Sequence, residues 1–203
     1  PGQRGPRRVE GEPTLKDLDE RYDDPDIAVN VRDSGGRVTL AIYDCNKPVI
    51  AAVNGPAVGI GATMLCAMDV RYASDQARIG FVFNKVGLCP EAASSWFLPR
   101  IVGMGKALEW VYRADVMPAQ ELFEGGFLSY VVPADQLLEE AYTLARTLTR
   151  RSPTSITVTR HMLYRNAGLD HPREAHKVDS LAIYYAMQIS APEGMRAFLE
   201  KRE

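Results

Sequence analysis

The sequence predicts an α/β fold: a parallel sheet of βαβ units followed by a helical C-terminal region. Three observations predict it. An apolar run, Pro48-Val49-Ile50-Ala51-Ala52-Val53, turns at Asn54-Gly55-Pro56 and enters the glycine-spaced Ala57-Val58-Gly59-Ile60-Gly61-Ala62. A short apolar helix through Met64 to Met68 then leads into a second strand-like run at 69–73. Strand, helix and strand in that order require parallel pairing, because a tight hairpin cannot join parallel strands. Beyond Pro133, Leu137, Leu138, Ala141, Leu144, Ala145 and Leu148 recur at helical spacing, as do Ala175, Val178, Leu181, Ala182, Tyr185 and Ile189.

Three regions follow in order. Residues 1–36 are rich in charge, Pro and Gly without a sustained apolar period, which predicts a mobile polar segment with at most a short helix around 14–22. Residues 37–132 form the core. A helix is expected over 38–45, a strand over 48–53, a helix over 60–68, a strand over 69–73 and a short strand near 79–82. Pro90 suits the first turn of a helix running to about Val102, which puts Glu91 at its N-terminal end. Helices over 103–112 and 117–124 stop at Gly125-Gly126, and 127–132 is the last strand. Residues 133–203 are helical.

With 46% hydrophobic residues in a chain of 203, one sizeable core can be buried. The 24 basic and 26 acidic residues leave a net charge of -2, which excludes a broad electrostatic attraction to nucleic acid. No apolar run approaches the roughly 20 residues of a membrane span. Cys45, Cys66 and Cys89 lack metal or redox spacing and read as reduced small hydrophobes, so a cytoplasmic location is expected. The three histidines, His161, His171 and His176, also lack metal-ligand spacing.

The chemistry concentrates at Gly59 to Gly61 and at Glu91. Glycines flanking Ile60 let the backbone approach a ligand closely, and a helix start there offers free N–H groups to an oxyanion. A lone glutamate arriving from a second helix start can move a proton beside a carbonyl held in that way. By pattern alone, Glu91 reads as a helix-start carboxylate favoured by the macrodipole, and Ile60 as a core residue beside turn glycines.

The segment Lys47 to Gly61, the block Asp69-Val70-Arg71-Tyr72-Ala73-Ser74, the block Gly87 to Ser95 with Leu98-Pro99-Arg100, and the tail Glu193 to Arg202 together resemble the crotonase (enoyl-CoA hydratase/isomerase) superfamily. The resemblance runs in the family's order from Arg37 onward. It implies a crotonase-like fold and an acyl-CoA substrate. Glu91 would be catalytic, the Ile60 N–H would be an oxyanion donor, and Gly59 and Gly61 would shape the turn. The hydratases of this family carry two glutamates that in register fall at Thr63 and about Phe83, and neither is a carboxylate here. Thr63 reads as a helix residue bonding back to a carbonyl, and Phe83 as part of an apolar acyl pocket. The Δ3,Δ2-enoyl-CoA isomerases match better, with a threonine at the position of Thr63 and a catalytic glutamate in a Pro-Glu-Gly segment that aligns with Pro90-Glu91-Ala92.

The implied function is double-bond migration from C3 to C2 of an enoyl-CoA, with Glu91 as proton shuttle. Hydration of a 2-enoyl-CoA is the alternative, and a non-catalytic acyl-CoA-binding subunit is a second. No metal and no cofactor beyond the CoA moiety of the substrate is expected. The family's N-terminal strands, and the Ala-Asp motif that supplies its first oxyanion donor, have no counterpart here, so an upstream piece is expected to be missing. The family's C-terminal helices pack between subunits of a trimer or a dimer of trimers, and the apolar stripe at 175–189 suits either that contact or an intramolecular face. Phe198 and Lys201 fit either a CoA contact across the subunit boundary or a solvated terminal helix. Asp69, between a helix and a strand, reads as structural.

Overall fold

The computed structural model describes residues 12–202. The N-terminal part is more ordered by local capping than its composition predicts. Helix α1 (Leu15–Glu20) starts with a capping box: Asp17 N–H donates to the Thr14 hydroxyl, and Thr14 N–H donates to the Asp17 carboxylate at 2.8 Å. Helix α2 (Pro25–Asn30) has Asp24 as its cap and Pro25 in its first turn. Helix α3 (Ser34–Tyr43) is capped by Asp33, whose carboxylate accepts from the Gly36 N–H. The expectation of at most one short helix before residue 37 is therefore corrected. Ile27 of α2 is fully buried, and the Asp-capped helix starts do without an apolar period.

The core follows the expected order with shorter elements. Strand β1 (Ile50–Val53) is followed by β2 (Pro56–Val58), by the single-turn helix α4 (Ile60–Thr63), and by a 3₁₀ turn at Met64–Ala67. Then come β3 (Val70–Ser74), β4 (Arg78–Gly80), a 3₁₀ turn at Val82–Val86, and helices α5 (Ser94–Val102) and α6 (Met104–Arg113). Strand β5 (Val116–Pro118), helix α7 (Ala119–Glu124) and strand β6 (Tyr130–Val132) complete it. The expected helix over 117–124 is thus a strand that gives way to a helix at Pro118. In the 127–132 segment, Phe127 and Leu128 turn back onto the Leu122 carbonyl before the strand begins.

The βαβ unit is present: β1 pairs in parallel with β3, and β3 with β6, in the order β1-β3-β6. The rings of Tyr72 and Tyr130 stack at 4.6 Å across that ladder. A second sheet, β2-β4-β5, was not expected; β2 runs parallel to β4, and β4 antiparallel to β5. Asn54-Gly55 redirects the chain out of the first sheet, and Pro56, without an N–H, suits the start of an edge strand. The core between these elements holds Phe81, Trp110 and Phe127, whose rings meet edge to face.

The C-terminal region is helical as expected, with α8 (Leu137–Thr149), α9 (Pro153–Asn166), α10 (Pro172–Ile189) and α11 (Ala191–Leu199). Within the apolar stripe, Ala175, Val178 and Ala182 are half-buried, whereas Leu181 and Ile189 stay 59% and 68% exposed, so the described helices cover that face only in part. One buried cation ties α9 to the sheet. Arg160, 6% exposed, donates from Nε to both Asp69 oxygens at 3.0 and 2.9 Å. It also donates to the carbonyls of Ile42, Tyr43 and Cys45 at 2.9, 2.6 and 2.8 Å. Asp69 in turn accepts from Val49 N–H at 2.7 Å and from the Tyr164 hydroxyl at 2.8 Å. Arg160→Ala leaves the Asp69 charge without its cation and removes a donor from three carbonyls in a buried site. A loss of about 3–5 kcal/mol in unfolding free energy is expected, read from the shift of the urea midpoint at unchanged slope.

Candidate active site

Glu91 lies three residues before α5, not inside a helix that starts at Pro90. The helix cannot begin earlier because Ala92 and Ala93 take φ of 61° and 52°, in the left-handed region. For a residue with a Cβ that conformation costs about 1–2 kcal/mol. Contacts around the turn offset the cost. Ala92 is fully buried; its N–H donates to Asp33 Oδ1 at 3.0 Å, and its carbonyl accepts from the Thr39 hydroxyl at 2.9 Å. The Glu91 carbonyl accepts from Ser94 N–H at 3.1 Å and from the Ser94 hydroxyl at 2.6 Å. The backbone that follows the carboxylate's anchor is therefore fixed, by Asp33 and Thr39 at Ala92 and by Ser94 at the Glu91 carbonyl.

The glycine turn comes to the same corner. Gly59 has φ of 56°, which a glycine adopts without strain, and its N–H is used by the Gly80 carbonyl at 3.2 Å. The next two N–H groups, of Ile60 and Gly61, have no partner among the described residues. Helix α4 is a single turn, so those two N–H groups, rather than a macrodipole, are what it offers a ligand. The fully buried Thr63 donates back to the Gly59 and Ile60 carbonyls at 3.3 and 3.4 Å, as expected. Its hydroxyl also lies 3.3 Å from Glu91 Oε1, a contact the sequence did not reveal.

Gly35 closes the corner from below. A Cβ there would lie 2.5 Å from Ile60 Cδ1 and 2.7 Å from Glu91 Oε1, so only a glycine lets α3 pack this closely. Glu91, Ile60, Thr63, Gly35 and Asp33 are thus brought together from three stretches of chain. Asp33 and Gly35 were missed, because they fall in the stretch read as mobile. Their one signal is the helix-cap residue Asp33 just ahead of paired glycines.

Electrostatics favour a proton on Glu91. Burial raises its carboxyl above the ordinary glutamate range, and a hydrogen bond to the Asp33 carboxyl and the negative charge of Asp33 raise it further. The Thr63 hydroxyl and the Gly35 N–H pull the other way. Phe83 is buried in the 3₁₀ turn at 82–86, Phe198 is 81% exposed on α11, and Lys201 sits in the turn after it with φ of 55°. A cavity of about 690 Å³ lies elsewhere, lined by Cys66, Trp96, Arg100, Leu148 and Leu163, and Glu91 is not in its wall.

The family model for enoyl-CoA hydratase/isomerase matches residues 16–203. The chain belongs to the enoyl-CoA hydratase/isomerase family. It is 41% identical over 174 residues to an enoyl-CoA hydratase of Alternaria alternata, covering 84% of this chain and 58% of that protein. It is 32% identical over 192 residues to the 2,3-dehydroadipyl-CoA hydratase of Escherichia coli, covering 92% and 72%. It is 35% identical over 123 residues to enoyl-CoA delta isomerase 2 of Rattus norvegicus, covering 61% and 32%. The crystal structure of an enoyl-CoA hydratase from Bacillus anthracis superposes with a TM-score of 0.80 at 28% identity, covering 92% of this chain and 72% of that one. The chain thus spans less than two thirds of the length of the Alternaria relative. The crotonase fold read from the ordered motifs is borne out.

Within this family member, no helix of the described residues is long and apolar enough to cross a membrane. Its three cysteines are unpaired, and burial pushes the Cys66 thiol up to about 12. Gly35→Ala tests the corner directly. Its methyl displaces either the Glu91 carboxylate or Ile60, so about 1–3 kcal/mol of stability is expected to be lost, measured by denaturant unfolding.

Proposed function

We propose that this chain is the catalytic part of an acyl-CoA enzyme that stabilises a thioester enolate and moves a double bond from C3 to C2 of an enoyl-CoA. The observation that carries the reading is the corner itself. The Glu91 carboxyl lies beside the turn whose Ile60 N–H is unpartnered, and neither Thr63 nor Phe83, the positions that the resemblance aligns with the hydratases' glutamates, is a carboxylate.

The reaction follows from those groups. The thioester oxygen accepts from the Ile60 N–H and from a second donor outside the motifs identified in this chain, so negative charge can develop there once the C2 proton leaves. Glu91 takes that proton and returns it at C4. The pair of bonds made and broken leaves the proton count unchanged, so no redox cofactor or metal is called for, and CoA is part of the substrate. Phe83 would line the acyl pocket. We also propose that the chain works as a homo-oligomer, a trimer or a dimer of trimers, in the cytoplasm. The exposed Phe198 and Lys201 would then reach the CoA of a neighbouring copy.

Hydration of a 2-enoyl-CoA is the second reading, favoured by the hydratase names of the relatives and by Asp33 as a second carboxyl. Against it, Asp33 Oδ1 already accepts from the Gly36 and Ala92 N–H groups, which leaves that oxygen poorly placed to hold an attacking water. Incubation with a 3-enoyl-CoA and with a 2-enoyl-CoA, followed by product chromatography, separates isomer from 3-hydroxy product; tight binding without turnover would identify a binding subunit.

Two variants test the reading. Glu91→Gln keeps the shape and removes the base, so turnover of a 3-enoyl-CoA should fall at least about a hundredfold with CoA affinity nearly intact. Turnover within a few-fold of the parent would sink it. Lys201→Ala should raise the Michaelis constant several-fold at nearly constant turnover. One exposed lysine–phosphate contact contributes about 1 kcal/mol or less, equally in ground and transition states.

A further inference from the structure

We propose that Asp33 is a positioning residue for Glu91: its carboxylate, fixed by two backbone N–H groups, receives a hydrogen bond from the Glu91 carboxyl whenever that group carries the transferred proton. The inference rests on the proton-shuttle reading for Glu91 and adds a residue that the sequence reading had assigned to a mobile segment.

The geometry gives the two carboxyls different tasks. Asp33 Oδ1 accepts from the Gly36 N–H at the start of α3 and from the Ala92 N–H at 3.0 Å, in the turn that carries Glu91. Both of these N–H groups donate to Oδ1, which fixes the carboxyl and leaves Oδ2 to face the Glu91 carboxyl. Glu91 has no such donors beyond the Thr63 hydroxyl, 3.3 Å from Oε1, and the Gly35 N–H. Burial, and after it the Asp33 neighbour, raise the Glu91 carboxyl, which suits it to carry the shuttled proton. The elements packed against Glu91 present to it Asp33 from the cap of α3, and the uncharged Thr63 of α4 and N–H of Gly35.

Two consequences follow for the reaction. The neighbouring Asp33 charge makes Glu91 a stronger base, so Glu91 takes the C2 proton more readily once ionised. The hydrogen bond also fixes the rotamer in which Glu91 carries that proton to C4, which shortens the search for the second transfer. Asp33 as a residue is exposed, so its charge acts through water as well as through the corner, and added salt should weaken it.

The experiment is Asp33→Asn, measured in two ways. Asparagine still caps α3 and still offers an oxygen to Gly36 and Ala92, so a purely structural Asp33 would leave both measurements unmoved. In the first, the pH profile of kcat/KM with a 3-enoyl-CoA is compared. The acid limb should move to lower pH, and the plateau kcat should fall roughly tenfold. In the second, ¹³C NMR follows the Glu91 side-chain carboxyl, assigned as the resonance lost in Glu91→Gln. Its midpoint should lie above the ordinary glutamate range in the parent protein and drop in Asp33→Asn. This second measurement needs no turnover, so it reads the pairing even where isomerase activity is absent and the proposed function fails. A Glu91 midpoint in the ordinary range, or one unmoved in a folded Asp33→Asn, overturns the proposal. Should the variant not fold, the parent's midpoint is followed from low to high salt; a fall supports the pairing and a constant value overturns it.

Discussion

Arg160 connects parts of the chain that otherwise have no reason to stay in register. Its guanidinium takes the last carbonyls of α3 and the Asp69 carboxylate, while Asp69 holds the N–H of Val49 just before β1. One cation from α9 thus fixes the C-terminal end of α3 against the start of both β1 and β3. Buried charge is costly to desolvate, and here every guanidinium nitrogen and both carboxylate oxygens have partners, which makes the arrangement tolerable. The other end of α3, about 15 Å away for a ten-residue helix, carries Asp33 and Gly35. The corner around Glu91 therefore depends on a contact made at the far side of the domain.

The corner is built largely from backbone. The unpartnered N–H groups of Ile60 and Gly61, the fixed peptide at Ala92 and the close approach of Gly35 set where a ligand and a carboxylate can sit. Three side chains do the rest: Glu91 as the proton carrier, Thr63 and Asp33 as its neighbours. Such a plan explains why the side-chain type at position 60 matters little to the proposed chemistry, whereas the absence of a side chain at 35 matters a great deal.

How much of this the sequence disclosed depends on which forces leave a pattern. The βαβ unit was legible because β1 and β3 are apolar runs separated by turn glycines, and the C-terminal helices because their apolar residues recur every three or four positions. Glu91 was legible as a lone carboxylate after Pro90 in a family-like block. The sheet formed by β2, β4 and β5 was not, since strands of three residues are too short to alternate. Nor were α2, the start of α3 and Asp33, where capping rather than periodicity makes the structure. The left-handed pair Ala92-Ala93 left no trace at all, because alanine is the residue least associated with that conformation; the resemblance to a Pro-Glu-Gly segment was the only hint that position 92 needs it.

That pair of alanines has a thermal consequence. Their conformation persists only while Thr39 and Asp33 of α3 grip both sides of the Ala92 peptide. The N-terminal end of a helix frays at free energies well below that of global unfolding. Each fraying event at α3 frees the two alanines to relax to ordinary dihedrals, and relaxation swings the Glu91 anchor away from Ile60. Warming the protein should thus disarm the corner in a local melting step, at temperatures where β1, β3 and their ladder are still intact.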